Sequence, residues 1–164
     1  MTNLFSRSGL VALVLLCVAC GGPEKPSAAG PNVQSRSVKL RVKAQLDGSQ
    51  ITVQGATDLP DGAVVGCEAS YQGAFNNNVI QNYETLIDLG KATVAAETFS
   101  LHGNVERLPP GQNKVFCAFM PAIDEQPQQV YDAYGRNGEH LTGSNVNSAL
   151  ETMRSVESEA SFAK

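Results

Sequence analysis

From Val38 the chain alternates apolar and polar side chains without a break through "VKLRVKAQL". Val38, Leu40, Val42, Ala44 and Leu46 therefore share one face of an extended segment, and Lys39, Arg41, Lys43 and Gln45 share the other. That is the pattern of a half-buried strand. Asp47-Gly48 follows, a pair that tolerates the positive φ of a hairpin turn, and "SQITVQG" resumes the alternation with Ile51 and Val53 on the apolar side. The pattern predicts a β-hairpin.

Two later stretches, "LPDGAVVGCEASY" (Leu59 to Tyr71) and "LPPGQNKVFCAFM" (Leu108 to Met120), repeat one device. Each is a Leu-Pro-x-Gly turn, proline setting φ and glycine free to turn left-handed, followed by an extended run with a cysteine in its middle. Between them, two or three more strands are expected around Tyr83 to Asp88 and Lys91 to Leu101. No helix is expected before residue 145. The C-terminal "NVNSALETMRSVESEASF" supports two readings, because Val146, Leu150, Met153 and Val156 fall at helical spacing while "SVESEASF" alternates. The reading adopted is a loop or short helical turn through about Arg154, then a final strand to Phe162; a helix throughout is the alternative.

The N-terminus follows a different rule. "MTNLFSRS" carries one cation, Arg7, and no acid, and "GLVALVLLCVA" (residues 9 to 19) contains no strongly polar side chain, the n-region and h-region of an export signal. Eleven helical residues rise only about 16 Å, roughly half of a 30 Å hydrocarbon core, so the stretch is too short for a permanent span. Small residues then follow, Ala19, Cys20, Gly21 and Gly22.

Here "CVAC" (positions 17 to 20) resembles the lipobox of bacterial lipoproteins, with Val18 and Ala19 matching and Cys17 standing where leucine is usual. The resemblance implies cleavage after Ala19, a thioether-linked diacylglycerol on Cys20 and often a further acyl chain, such as palmitate, on the new amino terminus. It also places the protein in the cell envelope on the outer membrane, with the inner membrane and the cell surface as alternatives. Gly21 lacks the acid that retains some lipoproteins at the inner membrane. A redox or zinc C-x-x-C needs a folded context that an apolar leader does not supply. The expected organisation is a signal over 1–19, a lipidated cysteine and flexible linker over 20–36, and one domain over 37–164. The linker, rich in proline and glycine, would reach roughly 20–25 Å as a coil.

With Cys17 removed and Cys20 acylated, Cys67 and Cys117 remain, each inside a strand. In an exported protein that remainder reads as a structural disulfide. The domain is similar to immunoglobulin-like or fibronectin-like sandwiches, on "ITVQGATDLPDGAVV" and "FSLHGNVERLPPGQNKVFCAF", where strands meet through Pro-Gly corners. The resemblance implies an all-β antiparallel sandwich of about seven strands. It lacks the tryptophan of antibody domains, and its cysteines fall on the third and sixth strands, neighbours within one sheet. The bridge is therefore expected within a sheet and not between sheets.

Composition narrows the partners. The net charge is −4, and the three clustered cations Lys39, Arg41 and Lys43 alternate with apolar residues, so they read as the wet face of a strand and not as a phosphate-binding patch. Nucleic acid is not an expected partner. His102 and His140 have no ligand neighbours at metal spacing, Ser144, Asp124 and Glu125 read as polar loop residues, and no hydrolase, zinc, phosphate-loop or calcium motif occurs. No metal and no cofactor beyond the lipid on Cys20 are expected. The candidate recognition segment is "QQVYDAYGRNGEHLTGSN", Gln128 to Asn145, in which Tyr131, Tyr134 and Arg136 sit among adaptable polar residues. Those tyrosines serve equally well to pin the segment to its own domain. A second loop of similar composition runs from Tyr71 to Tyr83. The expectation is a non-catalytic, membrane-anchored binding or assembly module for an envelope protein or glycan. A small envelope hydrolase with a loop-built site, and a purely structural lipoprotein, are the alternatives.

Overall fold

Gly48 takes φ +61° at the first central position of the turn joining Asp47 to Gln50. A II′ turn demands glycine there, and its twist suits the flanking strands. The hairpin runs as expected, β2 (Leu40–Asp47) against β3 (Gln50–Thr57), after a two-residue strand β1 (Arg36–Ser37). The computed structural model describes residues 34–71, 75–76, 79–80, 85–150 and 152–164, with backbone alone at 75–76, 79–80 and 149–150. The expected signal, the lipobox and the linker up to residue 33 lie outside the described residues.

The strands that follow are β4 (Val64–Tyr71), the short pair β5 (Phe75–Asn76) and β6 (Val79–Ile80), β7 (Leu86–Thr93), β8 (Thr98–Asn104) and β9 (Gln112–Phe119). Helix α1 (Gln128–Tyr134), β10 (Leu141–Thr142), β11 (Val146–Leu150) and β12 (Met153–Ala163) complete the described chain. One sheet has the order β2-β3-β8 and the other β11-β12-β9-β4-β7. Every pairing in these two sheets is antiparallel. The fold is an all-β sandwich. Its seven long strands divide three against four, with β11 added at one edge of the larger sheet.

The inner faces make one core. Ile51 and Val53 from the smaller sheet meet Val65, Val115, Phe119 and Val156 from the larger, all of them fully buried. Glycine makes room on the inner face of the smaller sheet: a Cβ on Gly55 would stand 2.0 Å from the ring of Phe99, its cross-strand partner on β8, so the ring occupies the space a side chain would need. The two Leu-Pro-x-Gly devices are equivalent in space as well as in sequence. Leu59 and Leu108 are buried, Gly62 (φ +89°) donates its N–H to the Val94 carbonyl beyond β7, and Gly111 (φ +120°) donates to the Lys164 carbonyl beyond β12. Each turn thereby ties the start of one strand to the end of its neighbour.

Cys67 and Cys117 are directly opposite each other on the paired strands β4 and β9, bonded, with Cα atoms 4.1 Å apart. The bridge lies within one sheet, as expected. Closing a loop of 50 residues contributes about 4 kcal/mol in the chain-entropy description.

Three expectations are corrected. Residues Gln128–Tyr134 form a helix before residue 145, because Val130 and Tyr134, four apart, bury one side of a segment that Pro127 leads in and Gly135 ends. Seven residues are too few for helical periodicity to register in the sequence. Residues 146–150 are a strand and not a loop or helical turn: β11 pairs with β12, and a register shift between Asn147 and Leu150 breaks the alternation that would have marked it. The run expected from Lys91 to Leu101 is interrupted by a turn at Ala96 and Glu97, both at positive φ (49° and 62°), closed by mutual hydrogen bonds between Ala95 and Thr98. Ala-Glu carries no turn signature, and the geometry is held from outside: Asp61 accepts the Ala96 N–H at 2.8 Å, and the Glu97 carbonyl accepts the Thr57 N–H at 2.9 Å.

Two central residues at positive φ are the I′ geometry that Asn-Gly favours. Ala96→Asn combined with Glu97→Gly is expected to stabilise the domain by about 0.5–2 kcal/mol in thermal or denaturant unfolding. A loss of stability would show that the turn is not strained in these residues.

Candidate functional site

Beyond Phe119 the chain makes a single turn, in which the N–H groups of Ile123 and Asp124 both donate to the Met120 carbonyl. This turn crosses the outer face of the larger sheet. It covers Ala118, which is buried although it points away from the core, and it holds Asp124 above Gly66, 3.7 Å from where a Cβ would stand. The segment is anchored by Gln126, whose side-chain amide accepts from the Val64 N–H at 2.8 Å and donates to the Val64 carbonyl at 2.9 Å. One side chain thus imitates a strand pairing. The Gln126 N–H in turn donates to the Tyr131 hydroxyl at 3.0 Å.

Asp124 is 3% exposed, and one of its oxygens lies 2.9 Å from the Lys91 ammonium on β7. Its other oxygen is buried and has no partner among the described residues. Hydrogen bonding to Asp124, then the charge of that carboxylate, holds Lys91 protonated above the usual lysine range. A second acid stands nearby on β4: Glu68 pairs across the sheet with Asp88 on one side and Phe116 on the other. Burial first, and then the like charge of Asp88, push the Glu68 carboxyl above its ordinary range, with Lys114 acting in the opposite sense.

These groups line a hollow of about 210 Å³, walled by Glu68, Asp88, Lys91, Phe116, Ile123 and Asp124. A second hollow of about 110 Å³ lies across the turn, between Met120, Ile123, Met153 and Glu157. Ile123 forms the ridge between them and is 62% exposed, the one large apolar side chain so placed among the described residues. The arrangement sets the buried Asp124 carboxylate and the additional negative charge of Glu68 and Asp88 beside apolar walls. It suits a ligand with a hydrogen-bond donor or cation next to an apolar group.

The residues singled out from sequence are placed elsewhere. Tyr134 is buried and meets Phe119 edge-on, ring centroids 5.5 Å apart, so it belongs to the core and not to a binding loop. Tyr131 is half-buried, its hydroxyl engaged by Gln126 and its ring covered by the Arg136 guanidinium at 4.6 Å. Neither tyrosine nor Arg136 lines the hollows. Of the second loop, Tyr71 to Tyr83, only Tyr71 and the β5–β6 pair belong to the described residues. His102 lies on the outer face of the smaller sheet, 3.1 Å from the Thr52 hydroxyl. Among the described residues no group of three or more His, Cys, Asp or Glu is arranged to hold a metal ion. No described helix is long and apolar enough to cross a membrane.

No family model matches the chain, and no curated protein matches it. Among solved structures it is similar to catalytically inactive OgpA from Akkermansia muciniphila in complex with an O-glycopeptide (glycodrosocin) substrate, at 14% identity and a TM-score of 0.43. That match covers 82% of this chain and 32% of the other, so the chain spans about a third of the length of the protein it matches.

Glu68 has a definite pH signature. Its carboxyl holds its proton more tightly folded than unfolded, so its cost to stability is absent below the unfolded pKa, grows as pH rises through the interval up to the folded pKa, and is constant above it. Glu68→Gln is therefore expected to raise the melting temperature at pH 7, with the gain shrinking to nothing near pH 4. A gain independent of pH, or a loss at pH 7, would show that burial and Asp88 do not destabilise the ionised form.

Proposed function

We propose that the chain is a lipid-anchored protein of the bacterial cell envelope that binds an extended segment of a partner protein and catalyses no reaction of its own. The anchor rests on the apolar leader and the "CVAC" sequence ending at Cys20. Two or three acyl chains, at about 0.8 kcal/mol per buried methylene, hold a protein on a bilayer where a single chain is marginal. The binding surface is the outer face built around Ile123.

The observation that carries the binding reading is the exposed Ile123 ridge between two hollows, one of them lined by the acids Glu68, Asp88 and Asp124. Hollows of about 210 and 110 Å³ each accept a side chain and fall below the roughly 300–1,000 Å³ typical of small-molecule sites. A basic or amide side chain enters the first, facing Asp124 and Glu68. An apolar side chain lies over Ile123 toward Met120 and Met153 in the second.

Two measurements test this. Intact-mass analysis of the membrane fraction is expected to find Cys20 at the amino terminus carrying diacylglycerol, and Cys20→Ala is expected to abolish the modification; a wild-type chain without it would remove the anchor. In selection from a random peptide library, the bound sequences are expected to place Lys or Arg beside an apolar residue. Their affinity is expected to fall about tenfold or more for Asp124→Asn, the loss of a hydrogen bond to a charged group, and also for Ile123→Ser. Affinity unchanged in both variants would place the binding surface elsewhere.

A further inference from the structure

The sandwich segregates charge between its two outer faces. On the larger sheet, Glu68, Asp88, Asp124, Glu157 and Glu159 outnumber Lys91 and Lys114. On the smaller sheet cations outnumber acids although the whole chain carries −4: Lys39 just before β2 and Arg41 and Lys43 on it are exposed, with Asp47 at the far end of the strand. Across the sheet from Arg41 and Lys43 the outward positions are neutral, Ala56 and Gln54 on β3, then Thr98 and Ser100 on β8, while Lys39 lies opposite Asp58, whose carboxylate accepts its backbone N–H at 2.7 Å.

Arg41 stands between two hollows on this side. One, of about 1,060 Å³, runs from the smaller sheet to the edge of the larger and brings Arg41 and Lys43 together with Thr98 and Ser100 and with Ser158 and Glu159 of β12. The other, of about 230 Å³, joins Lys39 and Arg41 to Ser37, Ser144 and Asn145. The acid at the rim of the larger one, Glu159, is held 2.9 Å from Lys114. The cations expected from the sequence to be only the wet face of a strand stand among hydroxyl and amide donors, a combination that matches phosphate and glycerol oxygens. The chemistry is extended over a sheet face and not closed around one anion.

The position along the chain supplies the second argument. Fifteen residues separate Cys20 from Arg36, and the first of the three cations is Lys39. On the lipoprotein reading proposed above, on which this inference rests, β2 is the first long strand after the anchor. A tether of that length holds a surface within roughly 20–25 Å of the bilayer.

We infer that the outer face of β2, β3 and β8 docks on anionic phospholipid headgroups, so that the Ile123 face on the opposite sheet is presented away from the membrane. Each cation near an anionic surface adds roughly fivefold to membrane affinity, and the contribution is screened by salt.

The test uses the full chain with vesicles of phosphatidylglycerol and phosphatidylethanolamine, or of phosphatidylcholine alone, and reads amine labelling of each lysine by mass spectrometry. Lys39 and Lys43 are expected to be labelled about fivefold less on the anionic vesicles than on phosphatidylcholine, with Lys91 unchanged as the internal reference. Arg41→Glu, or 1 M salt with its Debye length of about 3 Å, is expected to remove the difference. Arg41 is exposed, so an unchanged melting temperature for that variant separates docking from folding. Equal labelling of Lys39 and Lys43 on the two vesicle types overturns the inference, as does equal protection by inorganic phosphate without vesicles. A chain found without acyl groups that still floats with the anionic vesicles alone, with the same protection, sustains the docking face while overturning the anchor.

Discussion

The pairing of β4 with β9, covalently closed at Cys67 and Cys117, organises the larger sheet from its centre. On the inner side of these two strands, Val65 and Ala69 face Phe119 and Val115 in a core with no room for rearrangement. On the outer side the same strands carry Glu68, Phe116 and the covered Ala118. The bridge therefore holds the floor of the candidate site as well as the core. The two Leu-Pro-x-Gly turns lead into these strands and bind each to the far end of its outer neighbour, so the four central strands close on one another through β7 and β12.

Onto this floor the segment after Phe119 is fastened by local contacts of different kinds. An ion pair at Asp124, a two-hydrogen-bond clasp at Gln126 and the Tyr131 hydroxyl hold it down, and α1 with Tyr134 closes the core beyond it. Ile123 is left exposed on the turn, while the next residue, Asp124, is turned down onto the sheet by its ion pair with Lys91. An exposed isoleucine alone is ordinary on a protein surface; flanked by hollows, one of them lined by acids, it becomes a recognition feature.

Much of the fold was legible in local patterns. The first hairpin follows from strict alternation and Asp47-Gly48, and the two Pro-Gly corners mark the starts of β4 and β9. The bridge joins the two cysteines that the strand pattern places inside extended runs. Where the fold departs from expectation, the deciding contact is distant in sequence: Asp61 holds the Ala96 turn and β12 recruits β11 as an edge strand. Val130 becomes helical because a core position for it exists. Local propensity is weak beside such contacts.

The candidate site shows the same division more sharply. Aromatic composition drew attention to Tyr131, Tyr134 and Arg136, but composition does not reveal which side of a segment faces its own domain, and these residues fasten it. Asp124 reads as one loop acid among several, and its meaning comes from Gly66 and Lys91, neighbours from 58 and 33 positions earlier that the sheet brings beneath it. The sequence by itself determined the all-β class, the principal hairpin and the pairing of the cysteines, because each depends on spacing along the chain. Only the tertiary structure decided where a carboxylate is stripped of water, which apolar residue is left exposed and how charge divides between the two faces, because burial and electrostatic environment are properties of neighbours brought together in space.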